Sequence, residues 1–332
     1  MALNADKANI MVLDTLEAIP IGGVTQWIRI RSHHPANPVL LLIQQGPGLP
    51  MINEAQTFAR TLHLEEHFTV VYWDQRGCGL SSRSPKSATP LDLPLLVSDT
   101  VELLEFLHLK FGGPSLIAGF SIGATIGAMA ANTRPELVTA LIGVGMDING
   151  PQAEAHAYSF ALETAAQRRH KRAQRQLQRI GAGPHTTFKQ FATRVRWVAT
   201  FGGVRRTATY GSMVRALLGS ILCSSDYTAA DLVRTLIGMT TTQTALLGEL
   251  AQLDLERVLP HINAPTVIVQ GRHDQVAPPA VAERYFNVLE APGKEIIWFE
   301  NSAHMPHLEE PEAFTELLKR FRSHPPPAST GG

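Results

Sequence analysis

The sequence predicts an α/β fold: a mostly parallel, doubly wound sheet with an inserted helical cap. Over most of the chain, apolar runs typical of buried strands alternate with segments of helical periodicity. Residues 151–247 interrupt this alternation, because they show helical spacing but no convincing strand pattern. One apolar run is followed at residues 119–123 by a tight, glycine-flanked turn, and a helix-like segment follows this turn directly.

Most of the predicted core strands are short and continuous in apolar residues, which is typical of strands covered on both faces. The first of them instead alternates apolar and polar residues, as a half-buried strand does. The predicted strands are Thr25–Arg31, Val39–Ile43, Phe68–Trp73, Ser115–Ala118, Leu137–Val144, Thr266–Gln270 and Glu295–Phe299.

Helices are predicted between these strands. Residues 53–64 can form one, and Asp99 with Glu102 has the spacing of a capping box that would open another. A last helix begins near Pro311 and repeats apolar residues at helical spacing to Phe321.

The cap is predicted to consist of several helices between two strands of the sheet. Apolar spacing predicts one helix that ends at residues 181–184, and Thr228 with Asp231 is predicted to cap a later helix that carries Leu232, Leu236 and Ile237. The predicted domains are a core of residues 1–150 and 248–322, a cap of residues 151–247 and a disordered tail of residues 323–332.

Composition narrows the possible classes of function. The 332 residues include 29 basic and 29 acidic side chains, so the formal net charge is zero and nucleic acid is not expected as a partner. No apolar stretch reaches the ~18 residues needed to span a bilayer, so no membrane partner is expected. Two cysteines and an N-terminus without a signal-peptide pattern favour a reducing, cytoplasmic location. The oligomeric state stays open.

The pattern Gly119-Phe120-Ser121-Ile122-Gly123 predicts a nucleophilic serine on a strained strand-to-helix turn. Such a serine needs a base and an acid that orients the base. Asp274 and His304 each follow a predicted strand, and the chain order Ser, Asp, His fits this arrangement. His273 and His307 are competing candidates, but the position between a strand and the terminal helix favours His304.

Four segments together resemble a known family: Gln44–Gly48, Trp73–Ser81, Gly119–Gly123, and Gly271–Asp274 with His304–Pro311. They are similar to the proline iminopeptidase branch of the α/β-hydrolase superfamily, peptidase family S33. The resemblance covers about residues 25–150 and 250–322 and is weak in the cap. The Asp-Gln-Arg-Gly-x-Gly-x-Ser sequence within the second segment is the most specific part of it.

The resemblance implies an α/β-hydrolase fold, no cofactor, and a small-molecule or short peptide substrate. It implies Ser121 as nucleophile, Asp274 as orienting acid and His304 as base. The oxyanion hole is expected to use backbone N–H groups of Ile122 and of the Gly46 region.

Two departures from the family pattern alter the expected site. Gln44 and Gln45 stand where the family usually has His-Gly, and Ile122 stands where its aminopeptidases usually have tryptophan. We expect Gln44 to replace the histidine as a hydrogen-bonding group. Gly48 is expected to allow close approach of backbone to the substrate.

Other polar residues near these motifs are interpreted as structural. Asp74, Arg76 and Ser81 follow a strand and are expected to tie loops together beneath the site, since buried charges are normally paired. Cys78, flanked by glycines, is interpreted as a packing residue.

The charge of the cap bears on the substrate. Between residues 151 and 215 only Glu154 and Glu163 are acidic, against twelve lysines and arginines. Two interpretations stay open: a solvated basic face, or a preference for anionic or neutral ligands. The remaining candidates to receive a substrate ammonium are Asp226, Asp231 and Glu249.

The leading hypothesis is a serine hydrolase that cleaves a small ester or amide through an acyl-enzyme. One alternative is a proline iminopeptidase. Another is a non-catalytic ligand-binding protein on a hydrolase fold, since a fold does not determine a function.

Overall fold

The computed structural model describes residues 12–84 and 89–322. The strands in these ranges are β1 (Leu13–Ile21), β2 (Val24–Ser32), β3 (Val39–Ile43), β4 (Thr69–Asp74), β5 (Ser115–Phe120), β6 (Val138–Val144), β7 (Thr266–Gly271) and β8 (Lys294–Phe299). They form one sheet in the order β1-β2-β4-β3-β5-β6-β7-β8. β2 pairs antiparallel with β1 and β4, and every other pair is parallel.

Helices connect and cover the strands. They are α1 (Ala55–Thr61), α2 (Leu93–Phe111), α3 (Ile122–Thr133), α4 (Gly150–Gln167), α5 (Lys171–Ile180), α6 (Phe188–Thr200), α7 (Tyr210–Cys223), α8 (Ala229–Leu250), α9 (Leu255–Val258), α10 (Pro279–Val288), α11 (Pro306–Glu309) and α12 (Pro311–Lys319). Short 3-10 turns occupy Ile52–Glu54, Leu64–Glu66, Gly79–Arg83 and Pro135–Leu137.

Each predicted core strand is present, and β1 is an additional strand that the prediction missed. β1 and β2 form a hairpin whose turn is Gly22-Gly23, and both glycines have positive φ, at 55° and 74°. A Gly-Gly pair between two strand-like runs is a hairpin signal, because a two-residue turn of this kind needs positive φ at both positions. The signal was therefore present in the sequence.

The predicted capping box at Asp99 and Glu102 is wrong. The helix begins six residues earlier, at Leu93, and Asp92 caps it by accepting a hydrogen bond from Leu95 N at 2.8 Å. Asp99 lies inside the helix and is fully buried, where its carboxylate accepts two hydrogen bonds of 2.7 Å from the Arg76 guanidinium. The buried ion pair, rather than a cap, explains this acidic residue.

Both faces of the sheet are covered, as the apolar strands predicted. In β3, Leu41 packs in an apolar cluster shared with α2, α3 and α10. Its neighbours Leu40 and Leu42 belong to a second cluster with α1 and α12 on the opposite face. Alternate residues of one strand therefore bury against different helical layers.

Six helices, α4 to α9, lie between β6 and β7; the first five occupy residues 150–250, where no strand occurs. α4, α5 and α6 share a cluster of buried apolar side chains that includes Ala161, Leu177 and Trp197. Leu236 and Ile237 lie on α8, as the sequence indicated, and are 46% and 59% exposed. The division into core and cap domains stays a prediction, and the predicted tail lies outside the described residues.

Helix α8 packs very closely on loops at the carboxyl edge of the sheet. A Cβ on Gly238 would lie 2.2 Å from Gly77 O, and one on Gly48 would lie 2.6 Å from Met239 Cα. Gly48 therefore admits the backbone of α8 rather than a substrate. Arg83 adds a link, because its guanidinium binds the carboxylate of the buried Asp231 at 2.6 Å.

Candidate active site

The turn at Ser121 is held by contacts that only glycine allows on either side. Ser121 has φ 53° and ψ −122°, a conformation that L-residues rarely adopt. A Cβ on Gly123 would lie 2.3 Å from Gln44 O, and one on Gly119 would lie 2.5 Å from Gly123 O. Ser121 N donates to Val144 O at 2.8 Å, which joins the turn to β6. The chain thus places the Ser121 hydroxyl at the carboxyl edge of β5.

Asp274 and His304 form a hydrogen-bonded pair at the carboxyl ends of β7 and β8. His304 Nδ1 lies 2.8 Å from Asp274 Oδ2. The other carboxylate oxygen of Asp274 accepts hydrogen bonds from Val276 N at 2.7 Å and Ala277 N at 2.9 Å. Because Asp274 is fully buried and held by these donors, it fixes the imidazole and leaves Nε2 for proton exchange.

The surroundings of His304 make its ring easier to protonate than an isolated imidazole. Burial favours the neutral ring, but the carboxylates of Asp274, Asp147 and Glu309 outweigh it, so the pKa of His304 is raised above its ordinary value. The ring therefore has increased basicity, which suits a group that accepts a proton.

Ser121 and His304 line one cavity of about 460 Å³. Most of the wall is apolar, with side chains from the core and from α4, α6, α7 and α8. The volume falls in the range of small-molecule sites.

In this cavity the Ser121 hydroxyl does not bond to the predicted base. Among the described residues, Ser121 Oγ donates to Asp147 Oδ2 at 3.3 Å, and its hydrogen bonds do not include His304. The Asp147 main chain is fixed because Thr125 Oγ1 donates to its carbonyl oxygen at 2.7 Å. Burial raises the pKa of the Asp147 carboxyl.

Asp147 is a functional candidate that sequence reasoning missed. A signal was available, since Gly145-Met146-Asp147 directly follows β6, the strand beside the serine-bearing β5. The carboxyl ends of neighbouring parallel strands meet at one edge of a sheet, so a side chain there can reach the same site.

Neither competing histidine forms the hydrogen bond to Asp274 that His304 forms, although His307 lines the same cavity. His307 is buried against Phe120, with ring centroids 4.3 Å apart. Burial lowers the pKa of His307 to about 3, so this ring stays neutral at physiological pH. His273 is exposed on the loop that precedes Asp274.

Of the two groups expected to form the oxyanion hole, Ile122 follows the serine directly in the chain and Gly46 lines the same cavity. Ile122 is the first residue of α3, so its N–H has no acceptor within the helix. Its side chain is buried in the core. Gly46 has φ 68° and lines the cavity together with Gln45. Their role in stabilising an oxyanion stays a prediction.

Asp74, Arg76 and Ser81 have the structural contacts expected of them. Asp74 is fully buried and accepts hydrogen bonds from the N–H groups of Met51, Ile52 and Leu80 and from the Tyr227 hydroxyl. Ser81 Oγ donates to the carbonyl oxygen of Asp74. These residues hold the loops beneath the cavity and do not line it.

Gln44 and Cys78 form another structural contact. Gln44 Nε2 donates to Cys78 Sγ at 3.0 Å, which agrees with the expected hydrogen-bonding role of Gln44. Burial raises the pKa of the Cys78 thiol to about 12, so Cys78 is an unreactive packing residue.

The three carboxylates considered as candidates to receive a substrate ammonium are engaged elsewhere. Asp226 pairs with Arg29, Asp231 with Arg83, and Glu249 accepts from Leu93 N; none of the three lines the cavity. The carboxyls that do line it are Glu54, Asp147 and Glu154.

Of the twelve basic side chains between residues 151 and 215, ten are exposed. These ten fit a solvated basic face. The other two, Arg194 and Arg205, are half-buried and line the cavity.

Within residues 12–84 and 89–322, no group of three or more His, Cys, Asp or Glu side chains is arranged to hold a metal ion. Over the same ranges, no helix is both long and apolar enough to cross a membrane.

Comparisons with known proteins agree with the observed fold. The sequence profile of the alpha/beta hydrolase fold matches residues 38–311. The chain is 30% identical over 321 residues to the probable aminopeptidase YbaC of Bacillus subtilis (strain 168), covering 96% of this chain and 98% of that protein. It is 25% identical over 302 residues to a proline iminopeptidase of Heyndrickxia coagulans, covering 90% and 95%.

A solved structure shares the fold. The proline iminopeptidase-related protein TTHA1809 of Thermus thermophilus superposes with a TM-score of 0.62 at 21% identity, over 93% of this chain and 96% of that one.

The glycine at position 123 is expected to be indispensable to the serine turn. Gly123→Ala would place a Cβ 2.3 Å from Gln44 O, so the backbone must shift, and we expect a loss of about 1–3 kcal/mol in the free energy of unfolding. Gly248→Ala is the control, because nothing lies within 4 Å of its Cβ and alanine favours a helix. Urea unfolding measures both; equal stability of the two variants would contradict the close packing.

Proposed function

The chain belongs to the α/β-hydrolase family, and on that premise we propose that it is a serine hydrolase that cleaves a small ester or amide through an acyl-enzyme intermediate. The observation that supports this most is the placement of Ser121, on its strained turn, in one cavity with a His304 that is hydrogen-bonded to a buried Asp274. We extend the proposal to a cytoplasmic location, which suits the free cysteines Cys78 and Cys223.

In the proposed mechanism, Ser121 Oγ attacks the scissile carbonyl carbon while His304 Nε2 accepts the hydroxyl proton. The imidazolium is stabilised by Asp274 through the 2.8 Å hydrogen bond at Nδ1. His304 then gives the proton to the leaving group, and the acyl group stays on Ser121. Water attacks this acyl-enzyme by the same route in the second half of the reaction.

The negative charge that develops on the carbonyl oxygen needs preorganised donors. We propose the backbone N–H groups of Ile122 and of the Gly46 region for this role. The N-terminus of α3 adds a favourable partial positive charge at Ile122. Such a donor typically contributes about 3 kcal/mol of transition-state stabilisation.

The Ser121–Asp147 hydrogen bond must exchange for one to His304 before attack. The 3.3 Å separation marks a weak bond, and a rotation about χ1 redirects the hydroxyl. Catalytic hydrogen bonds are often long or differently directed in an empty site.

A second candidate function is an N-terminal aminopeptidase of the proline iminopeptidase type. It is favoured by the names of two relatives and by the carboxyl of Asp147, which lies close enough to Ser121 to meet the α-amine of an aminoacyl substrate. Two observations weigh against a strong ammonium site. Burial raises the pKa of both Asp147 and Glu54, which favours neutral carboxyls, and Glu154 is shared between His185 and Arg194.

Ser121→Ala is expected to lower kcat on the order of 10⁴-fold or more while the protein stays folded, since only the nucleophile is lost. A fluorophosphonate probe should label the wild type at Ser121 and not the variant. Ser82→Ala is the control, because Ser82 lies on the Gly79–Arg83 turn and outside the cavity wall. A folded wild type that neither labels nor hydrolyses any ester would favour the ligand-binding alternative.

The pH profile should identify a histidine base. Because the pKa of His304 is raised and only the neutral ring accepts a proton, kcat/KM should rise with pH through a midpoint above the ~6.5 of an unperturbed histidine. The activity is lost as the pH falls through that midpoint. Two esters with different leaving groups should give the same midpoint; a flat profile from pH 5 to 8 contradicts the assignment.

Substrate comparison separates the two enzyme candidates. We expect p-nitrophenyl acetate to be turned over better than a prolyl arylamide, and N-acetylation of the arylamide to cost less than about tenfold in kcat/KM, or about 1.4 kcal/mol. The aminopeptidase would be established instead if kcat/KM for the free prolyl compound is higher by a hundredfold or more. Asp147→Asn should then remove this advantage, and Glu163→Gln, on the exposed cap surface, should keep it.

A further inference from the structure

Two arginines in the cavity wall, Arg194 and Arg205, each have a buried guanidinium nitrogen that forms no hydrogen bond with the described residues. Arg194 Nη1 lies 2.9 Å from Glu154 Oε1 as an ion pair, but without the alignment of a hydrogen bond. Nε of Arg205 is buried and has no hydrogen-bond partner among the described residues. Both side chains line the cavity that contains Ser121.

Arg194 is held in a fixed position on α6. Glu154, on the facing helix α4, binds it from one side, and the guanidinium lies 5.6 Å from the centroid of the Phe191 ring. Glu154 is itself fixed, because it accepts a hydrogen bond from His185 N at 3.0 Å and lies 2.6 Å from His185 Nδ1. The cation is therefore oriented before any ligand binds.

Glu154 alone does not satisfy this cation. One oxygen of its carboxylate is shared by Arg194 and His185, and the Arg194 side chain is only 13% exposed. Burial lowers the pKa of Arg194, against the opposing effects of Glu154 and Asp147. A buried guanidinium needs acceptors to offset its lost hydration, and a carboxylate matches its planar donor geometry.

We propose that Arg194 is a specificity-determining residue that binds a carboxylate on the substrate, at the end remote from the scissile bond. The inference rests on the proposed hydrolase function and deepens it: the substrate class is an ester or amide that carries a carboxylate beyond an apolar spacer. The apolar wall of the cavity suits the spacer, and Arg205 adds a second cation to the wall.

The acidic groups in the cavity oppose such a ligand less than carboxyls in water would. Burial raises the pKa of Glu54 and of Asp147 above their ordinary values. Glu154 is not directed at Arg194 alone, because the same carboxylate oxygen also contacts His185 Nδ1 at 2.6 Å.

The test uses two esters of the same length, 4-nitrophenyl hydrogen adipate with a free carboxylate and 4-nitrophenyl methyl adipate without one. The wild type should prefer the carboxylate ester by at least about tenfold in kcat/KM, as expected for a charge-assisted contact. Arg194→Gln should abolish this preference, because kcat/KM for the carboxylate ester falls about tenfold more than kcat/KM for the neutral ester, and Arg194→Lys should retain part of it. Equal turnover of the two esters by the wild type overturns the proposal.

Arg196→Gln is the matched control, because Arg196 lies on the same helix but is exposed and outside the cavity wall. It should keep the full preference. A comparable loss in Arg196→Gln would mean that the overall basic charge of the helices, and not Arg194, selects the anion, and would overturn the assignment.

A binding measurement separates this proposal from the proposed function. Calorimetric titration of Ser121→Ala with monomethyl adipate and dimethyl adipate needs no turnover. Tighter binding of the monoanion, lost in Ser121→Ala/Arg194→Gln, supports the site even if neither ester is hydrolysed by the wild type. Equal binding of the two overturns it even if both esters are hydrolysed.

Discussion

The close packing around Gly119 and Gly123 is the constraint on which the site depends. It brings the start of α3 against the end of β3, with no room for a methyl group at either glycine. The Ser121 conformation is a consequence, since the chain must turn from strand to helix within one residue of positive φ. The surrounding strands hold this strained residue in place, as buried neighbours do wherever a rare backbone conformation persists.

The acidic residues near the site differ in how completely they are hydrogen-bonded. Asp74 accepts four hydrogen bonds from three backbone N–H groups and the Tyr227 hydroxyl, and Asp99 accepts a bidentate Arg76. The carboxyl group of Asp147, by contrast, accepts one hydrogen bond from the part of the chain that the structure describes, the 3.3 Å contact from Ser121 Oγ. A carboxylate with a structural role needs a full set of hydrogen bonds. The Asp147 carboxyl in the cavity has an incomplete set, so it is free to bind a ligand.

The sequence predicted what depends on neighbouring residues along the chain. Apolar runs located seven core strands, and the motif around Ser121 with the strand-following Asp274 and His304 located the candidate triad. Asp147 and Arg194 could not be assigned in this way, because their importance depends on which loops and helices meet at the cavity. Arg194 resembles the ten exposed basic residues around it in sequence, and only the packing of α6 against α4 distinguishes it. The predicted cap at Asp99 failed for the same reason, since its partner Arg76 is distant in the chain.

The packing of α8 on the loops of the sheet connects the fold to the electrostatics of the cavity. Gly48 and Gly238 let this helix approach the backbone of those loops, and Met239 on the same helix lines the cavity wall. Excluding water there lowers the local dielectric constant, which strengthens the interaction between His304 and Asp274 and raises the cost of an unpaired charge. The raised pKa of His304 comes from the neighbouring carboxylates, which outweigh the effect of burial on the ring. For Arg194 burial is not outweighed in this way, because a guanidinium that has lost its hydration and lacks a hydrogen-bond partner at Nη1 among the described residues needs an acceptor from elsewhere.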